Sequence, residues 1–328
     1  MTRIVSYNIL TGGYNARASG TRARRINELT KILRAAQPDI AGIVEATHPG
    51  MQQKPLIIEE IAETLGMQLV LGGEATHYHD YRLAFLTRLP IIHTHIHPRP
   101  GILNKPLLEV CVEEAGGEHL TAFVTHLSAA FNRGRAGGHI RLREAQEIMR
   151  IMAPLRAQKQ PHMVMGDFNS LAPGDPFQAH LLLRYLTWLD KRRQGHKLAD
   201  GHPHLDVVVP PELRILNPLL RAIPRNRVLS TLFDAAAAIY APRGSIKLLR
   251  NAGYVDCYRH LHPHTNGFTC PATLPAGRID YIFVSPDLAS RLVTCDVITE
   301  GEGIPGNHAS DHLAVTATLG ERTQSATD

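Results

Sequence analysis

The chain has 328 residues, 44% hydrophobic and 20% charged, which is ample material for one large folded domain or two ordinary ones. Its net charge of +5 and pI near 9.1 suit an anionic substrate without being diagnostic of nucleic acid. Only 5% of residues are aromatic, with one tryptophan, Trp188, so rows of stacking aromatics are excluded as the main ligand platform. The four cysteines, Cys111, Cys257, Cys270 and Cys295, form no CxxC pair. Neither a disulfide framework nor a thiolate zinc site is expected, and a reduced cytoplasmic setting is the default. The start, Met1 to Val5, lacks a signal-peptide pattern. No apolar run approaches the roughly 20 residues of a membrane span.

Arg3 to Asn8 reads as a first strand ending in a polar residue. Arg22 to Gln37 reads as an amphipathic helix, with Ile26, Leu29, Ile32 and Leu33 at helical spacing, ended by Pro38-Asp39. Ile40 to Val44 is a short apolar run ending at Glu45. A second helix spans Ile57 to Leu65 and stops at Gly66. Strands are expected at Gln68–Leu71, Leu83–Thr87, Ile91–His97, Leu107–Val112 and Leu120–Thr125, the last ending at His126. His139 to Ala157 reads as a helix with Ile140, Ile148, Met149, Met152 and Leu155 inward. Further strands are expected at Ile279–Val284, Leu292–Thr299 and Leu313–Leu319, and disorder from Gly320 to Asp328.

His162-Met163-Val164-Met165-Gly166-Asp167-Phe168-Asn169-Ser170 is the stretch around which the rest is organised. An apolar run leaves through a glycine and presents two polar side chains two residues apart. On an extended backbone Asp167 and Asn169 leave on the same side, where one accepts a proton or binds a cation and the other orients an oxygen. An Asx turn that merely closes the strand is the alternative.

Gln178 to Arg250 departs from this rhythm. It is rich in Leu, Pro and Arg, and its twelve Lys/Arg against five Asp/Glu give +7, more than the charge of the whole chain. Helices are expected near Ala179–Asp190, Pro211–Ala222, Val228–Tyr240 and Ser245–Asn251. Its cations, among them Arg192 and Arg193, are either a phosphate-contacting wall or a solvated helical face. Its leucines also allow an amphipathic lid that touches lipid.

Asn8, Glu45, His126, Asp167, Asn169, Asp280, Asp311 and His312 each follow, begin or precede an apolar run. Each alone fits a cap, a turn or a satisfied histidine. Eight together suggest one sheet edge lined with chemistry.

Six segments carry a resemblance: Ser6-Tyr7-Asn8-Ile9, Asp39 to Glu45, Thr125-His126-Leu127, Gly166-Asp167-Phe168-Asn169, Arg278 to Phe283, and Ser310-Asp311-His312. In this order they resemble the endonuclease/exonuclease/phosphatase superfamily. The resemblance implies a four-layer α/β/β/α sandwich with two mostly antiparallel sheets, over residues 1–319. The segment from about 178 to 250 is longer than that pattern leads one to expect.

The resemblance also implies metal-assisted attack of water on a phosphate ester, with no covalent intermediate. Glu45 would hold Mg²⁺, with Mn²⁺ as the alternative, aided by Asn8 and Asp311; oxygen ligands without cysteine favour these over zinc. Asp167 would orient or deprotonate the water, and Asn169 would hold it or a phosphate oxygen. His312 and His126 would donate to the phosphate, with Asp280 orienting His312 or aiding the leaving group. A nuclease is the first expectation. A sphingomyelinase-like lipid phosphodiesterase and an inositol-phosphate phosphatase are the alternatives, and a binding module that had lost such groups is a third. Leu10 to Asn15 lacks the more elaborate motif usual in apurinic-site endonucleases.

Overall fold

The computed structural model describes residues 1–13, 22–47, 55–73, 82–192, 205, 209 and 211–321. Strands are numbered β1 to β14 in chain order. Two apolar runs, β1 (Thr2–Asn8) and β2 (Ile40–Val44), pair in parallel at the centre of one sheet. Both are buried almost throughout, because a parallel pair in such a sheet is covered on both faces. Around them lie β14 (Ala314–Leu319), β11 (Leu292–Ile298), β4 (Ala84–Thr87) and β3 (Gln68–Leu71), in the order β11-β14-β1-β2-β4-β3.

The second sheet repeats the plan. Its parallel centre is β7 (His119–His126) with β8 (His162–Asp167). On one side stand β5 (Ile91–His97) and β6 (Leu107–Glu113); on the other, β10 (Asp280–Val284) and β9 (Val255–Asp256). A ribbon of β12 (Glu300–Gly301) and β13 (Ile304–Pro305) completes the strands.

Alternation along the strands sorts side chains into layers. Ile4, Val44, Phe85, Val110, Val124, Met165, Ile282 and Val315 meet between the sheets. Val5, Tyr7 and Ile43 point outward to α1 (Arg22–Ala36) and α2 (Ile57–Leu65). Phe123, Val164, Phe168 and Phe283 face α3 (Gly134–Ala157) and the helix Gly244–Asn251. The result is the expected four-layer α/β/β/α sandwich.

The parallel centres decide where the polar residues gather. Parallel strands end at the same edge, so β1 and β2 deliver Asn8 and Glu45, while β7 and β8 deliver His126 and Asp167. Strands antiparallel to them begin at that edge. Asp280 therefore pairs in register with Asp167, and β14 is entered from Asp311-His312.

The insertion folds against this body. Helix α4 (Ala179–Arg192) packs with the helix Arg227–Tyr240 around Leu183, Leu186, Leu189 and Ile223, with Leu274 of the main body closing that small core. Arg250 donates to the Pro173 carbonyl at 2.9 Å, and the Gln178 N–H to Ala276 at 2.8 Å.

Four expectations need correction. The helix expected over Pro211–Ala222 is a 3₁₀ turn, Pro211–Leu216, followed by a separate helix Asn217–Ala222, because Pro218 has no N–H to continue the preceding turn. Helix α3 starts at Gly134, earlier than His139. On α3, Ile140 is only half-buried, and the buried positions toward the site are Gly137, Arg141 and Glu144. At the end of the chain Gly320 is buried and bonded to the Arg291 carbonyl; residues 322–328 of the expected tail lie outside the described residues.

Gly166 sits at φ +140°, and a Cβ there would lie 1.9 Å from the Thr125 carbonyl oxygen. A Cβ at Gly42 would meet only the end of the Met165 side chain, which can move. Gly166→Ala is therefore expected to cost at least about 2 kcal/mol in urea unfolding, and Gly42→Ala less than about 1 kcal/mol. Equal losses would contradict this reading of the backbone contact.

Candidate active site

Asp167 is the meeting point. The backbone is not extended past it: Asn169 has φ +47°, and its N–H donates to Asp167 Oδ1 at 2.8 Å. The Asx turn is thus present, and it aims the other carboxylate oxygen into the site. Asn169 Nδ2 donates to the Leu127 carbonyl at 2.9 Å, tying this turn to the one that follows His126. Asp167 Oδ2 is left facing the site.

Asn8 reaches that oxygen from the other sheet. Its Nδ2 lies 3.2 Å from Asp167 Oδ2 and 3.4 Å from Glu45 Oε1. Its Oδ1 accepts from the Leu10 N–H at 3.0 Å, which fixes which amide atom is the oxygen. As placed, Asn8 bridges two carboxylates with its amide hydrogens and does not present its oxygen to a cation. Glu45 is held in the left-handed region at φ +54°, where a non-glycine residue is strained, and its Oε2 accepts from the Thr11 N–H at 2.8 Å.

Two histidines flank Asp167. His126 Nε2 is 3.6 Å and His312 Nε2 3.8 Å from Asp167 Oδ2. Their environments differ. His312 Nδ1 lies 2.9 Å from Asp280 Oδ2, whereas His126 Nδ1 is buried without a hydrogen-bond partner. Burial pushes the His312 imidazolium down, but the Asp280 carboxylate and the adjacent Cys270 sulfur outweigh it and hold the ring well above the ordinary histidine range. Burial, with the charges of Lys105 and His312, pushes His126 well below that range. One imidazole is a cation at neutral pH and the other is not.

The carboxylates are tuned too. Burial and the neighbouring Asp280 push Asp167 up to about 7, against the pull of His312. Burial raises Glu45, and Asp311 adds to it. Asp311 is itself buried, with its carbonyl accepting from the Ala272 N–H at 2.7 Å. Among the described residues, Asp167, Asp280 and His312 are the one trio whose ligand atoms lie within 4.8 Å of one another.

The edge therefore brings together Asn8, Glu45, His126, Asp167, Asn169, Asp280, Asp311 and His312. Two arginines, Arg192 and Arg193, are expected from the sequence as substrate contacts. Arg193 lies outside the described residues, and of Arg192 only the backbone at the end of α4 is described.

Several supports were not legible in sequence. Ser310 donates to the Asn8 carbonyl at 2.7 Å and accepts from the His312 N–H at 3.2 Å, joining β1 to the β14 approach. Glu144 accepts from the Ser128 N–H at 2.9 Å, and Arg141 donates to Ser170 Oγ at 3.0 Å, so α3 braces the turns after His126 and Asn169. Arg278 binds both oxygens of Asp256 at 2.6 and 2.7 Å and Asp175 at 2.9 Å, fixing the entry to β10. Lys105, before β6, brings a cation to bear on Glu45 and His126. The signal for the α3 pair was present: Arg141 and Glu144 lie one helical turn apart, on the same side as buried Ala145 and Ile148.

A family model described as the Endonuclease/Exonuclease/phosphatase family matches residues 5–312. The chain belongs to that family. In this Endonuclease/Exonuclease/phosphatase chain, one stretch is 36% identical over 81 residues to a DNA-(apurinic or apyrimidinic site) endonuclease of Arabidopsis thaliana, covering 22% of this chain and 22% of that relative. The fold is similar to a solved AP endonuclease from Archaeoglobus fulgidus, at TM-score 0.58 and 15% identity, covering 97% of this chain and 99% of the other. It is equally similar to a 3′ phosphatase, NExo, from Neisseria bound to a product DNA hairpin, at TM-score 0.58 and 14% identity, covering 98% and 100%. A D. rerio TDP2 complexed with a single-strand DNA product matches at TM-score 0.56 and 15% identity, covering 98% and 99%.

Asp280→Asn keeps the shape of the partner and removes its charge. The His312 ring resonances, followed by NMR, are expected to titrate at lower pH in Asp280→Asn than in the parent protein, with His126 still neutral at pH 7 in both. An unmoved His312 would show that Asp280 does not hold its proton.

Proposed function

We propose that this chain is a divalent-metal-dependent phosphoester hydrolase that acts on nucleic acid. The observation that carries the reading is the pairing of Asp167, a carboxylate whose proton affinity is near neutral, with a charged His312 and a neutral His126 around one point. Phosphate esters repel nucleophiles and release poor leaving groups, so a site must neutralise charge and move protons. Asp167 accepts the proton of the attacking water. Asn169, held by the Leu127 carbonyl, positions that water or a phosphoryl oxygen. His312, kept protonated by Asp280, donates to the phosphoryl oxygen on which charge develops. His126 offers its single N–H from the opposite side, and Lys105 adds a cation.

The donor set fits a hard cation. The ligating groups are carboxylate oxygens, and the nearby Cys270 thiol is pushed up to about 11 by burial, so it stays protonated. Glu45 and Asp311 would hold the ion, Mg²⁺ or Mn²⁺, and Asn8 would join only by turning its amide. Such an ion supplies charge neutralisation at the phosphoryl oxygens. Nucleic acid as substrate is supported by the endonuclease relative, by the DNA products bound in two solved neighbours and by the basic balance of this chain. Glycines and a 3₁₀ turn at Thr11–Gly13, in place of an elaborated motif, weigh against specialisation for apurinic sites.

Asp167→Asn and His312→Ala are each expected to lower turnover of bis-p-nitrophenyl phosphate at least about a hundredfold. Near-normal rates in both would remove the assignment. Plasmid DNA, an abasic duplex, sphingomyelin and inositol phosphates, compared side by side, distinguish the substrate classes, and binding of nucleic acid should weaken steeply with salt.

EDTA is expected to abolish turnover, with Mg²⁺ or Mn²⁺ restoring it. Protons compete with the cation for Glu45, whose carboxyl is raised by burial, so metal affinity should fall as the pH is lowered. Calorimetry in two buffers of different ionisation enthalpy should show protons released on binding at the lower pH. Affinity independent of pH would separate the cation from Glu45.

A further inference from the structure

The helix Arg227–Tyr240 is apolar on two sides: Phe233 packs into the small core, while a second face is left in solvent. Its packed side carries Ser230, buried, and Asp234, which binds His180 at 2.6 Å. Its solvent side carries Val228, Leu232 and Ile239, which are 67%, 62% and 90% exposed. These positions fall on one helical face. The preceding turn and short helix add Ile215 and Leu219, at 85% and 55%. Isolated exposed apolar residues are ordinary, but a run along one face together with its neighbouring turn marks a surface that meets something.

Charge indicates what it meets. Arg214, Arg221, Arg225 and Arg227 are exposed around the stripe. Of the described acids in the insertion, Asp190 pairs with Arg221 and Asp234 with His180, which leaves Glu212 as the exposed one without either of those partners. An apolar helix face bordered by arginines has the chemistry of a segment lying in the interface of an anionic bilayer. A nucleic-acid backbone would use the arginines and leave the leucines in water.

The stripe also has a direction. At its end, the Arg135 guanidinium lies 5.5 Å over the Tyr240 ring, and a Cβ at Gly134 would lie 2.8 Å from the Tyr240 hydroxyl. Gly134 follows the exposed Phe131, in the loop that leaves His126. The C-terminal end of the helix thus lies against the start of α3.

We propose that the outer face of the helix Arg227–Tyr240, with Ile215 and Leu219, docks this protein onto an anionic lipid surface. The inference does not depend on which phosphate ester is cleaved. It is tested with the full chain by co-sedimentation with phosphatidylcholine vesicles, with and without phosphatidylserine. Binding is expected to the anionic vesicles, weakened at high salt, and reduced at least about tenfold by Leu232→Glu with Ile239→Glu. Both positions are exposed and outside the catalytic edge, so turnover of bis-p-nitrophenyl phosphate should be unchanged. Arg225→Glu with Arg227→Glu should lower binding to the anionic vesicles alone. Absence of vesicle binding, equal binding by the variants, or equal binding to neutral vesicles would overturn the proposal. So would a dimer in light scattering that dissociates in the Leu232→Glu, Ile239→Glu variant, since a second copy would then cover the face.

Discussion

At the site, Asn8 Nδ2 of the first sheet lies 3.2 Å from Asp167 Oδ2 of the second, and His312 Nδ1 lies 2.9 Å from Asp280 Oδ2. Everything at the site depends on the sheets being held at that separation. The inter-sheet core sets it, with Val44, Val124, Met165 and Ile282 packed between. Because each sheet has a parallel pair at its centre, two strand ends from each arrive at the same edge. A wholly antiparallel arrangement would have sent half of these residues to the far side.

The electrostatic consequence is a division of labour among similar groups. Asp167, Asp280, His126 and His312 are all buried and close together. Desolvation disfavours the charged forms of Asp167, His126 and His312. What separates them is the partner. His312 has a carboxylate at 2.9 Å and keeps its proton, while His126 Nδ1 faces no acceptor and gives its proton up. Asp167 shares its surroundings with a second acid and rises toward neutrality. Groups of one chemical type thereby acquire distinct proton affinities, which the proposed hydrolytic chemistry at neutral pH would use.

The insertion is related to this edge without contributing a described residue to the catalytic set. Its small core closes on Leu274, in the loop whose neighbour Ala272 bonds Asp311, and Arg250 holds the stretch that follows Asn169. It is continuous with the scaffold of the site, yet its apolar face looks away from that scaffold.

The longer strands and most helices were legible in the chain because apolar periodicity is a local property, whereas the two-residue strands β9, β12 and β13 are too short to show one. The eight polar residues were legible as a set because each interrupts such a run at its end. The family match over residues 5–312 spans them. The bracing residues Arg141, Glu144, Ser128 and Ser310 were not, because their meaning lies in contacts between distant segments. Ser310 and Asn8 are 302 positions apart, and no periodicity connects them. The Asx turn at Asp167 and the left-handed backbone at Glu45 were likewise decided by tertiary hydrogen bonds. The sequence by itself determined which groups stand at strand ends. Only the packed structure decided which of two histidines is charged, because that depends on whether a carboxylate from another strand lies within hydrogen-bond reach.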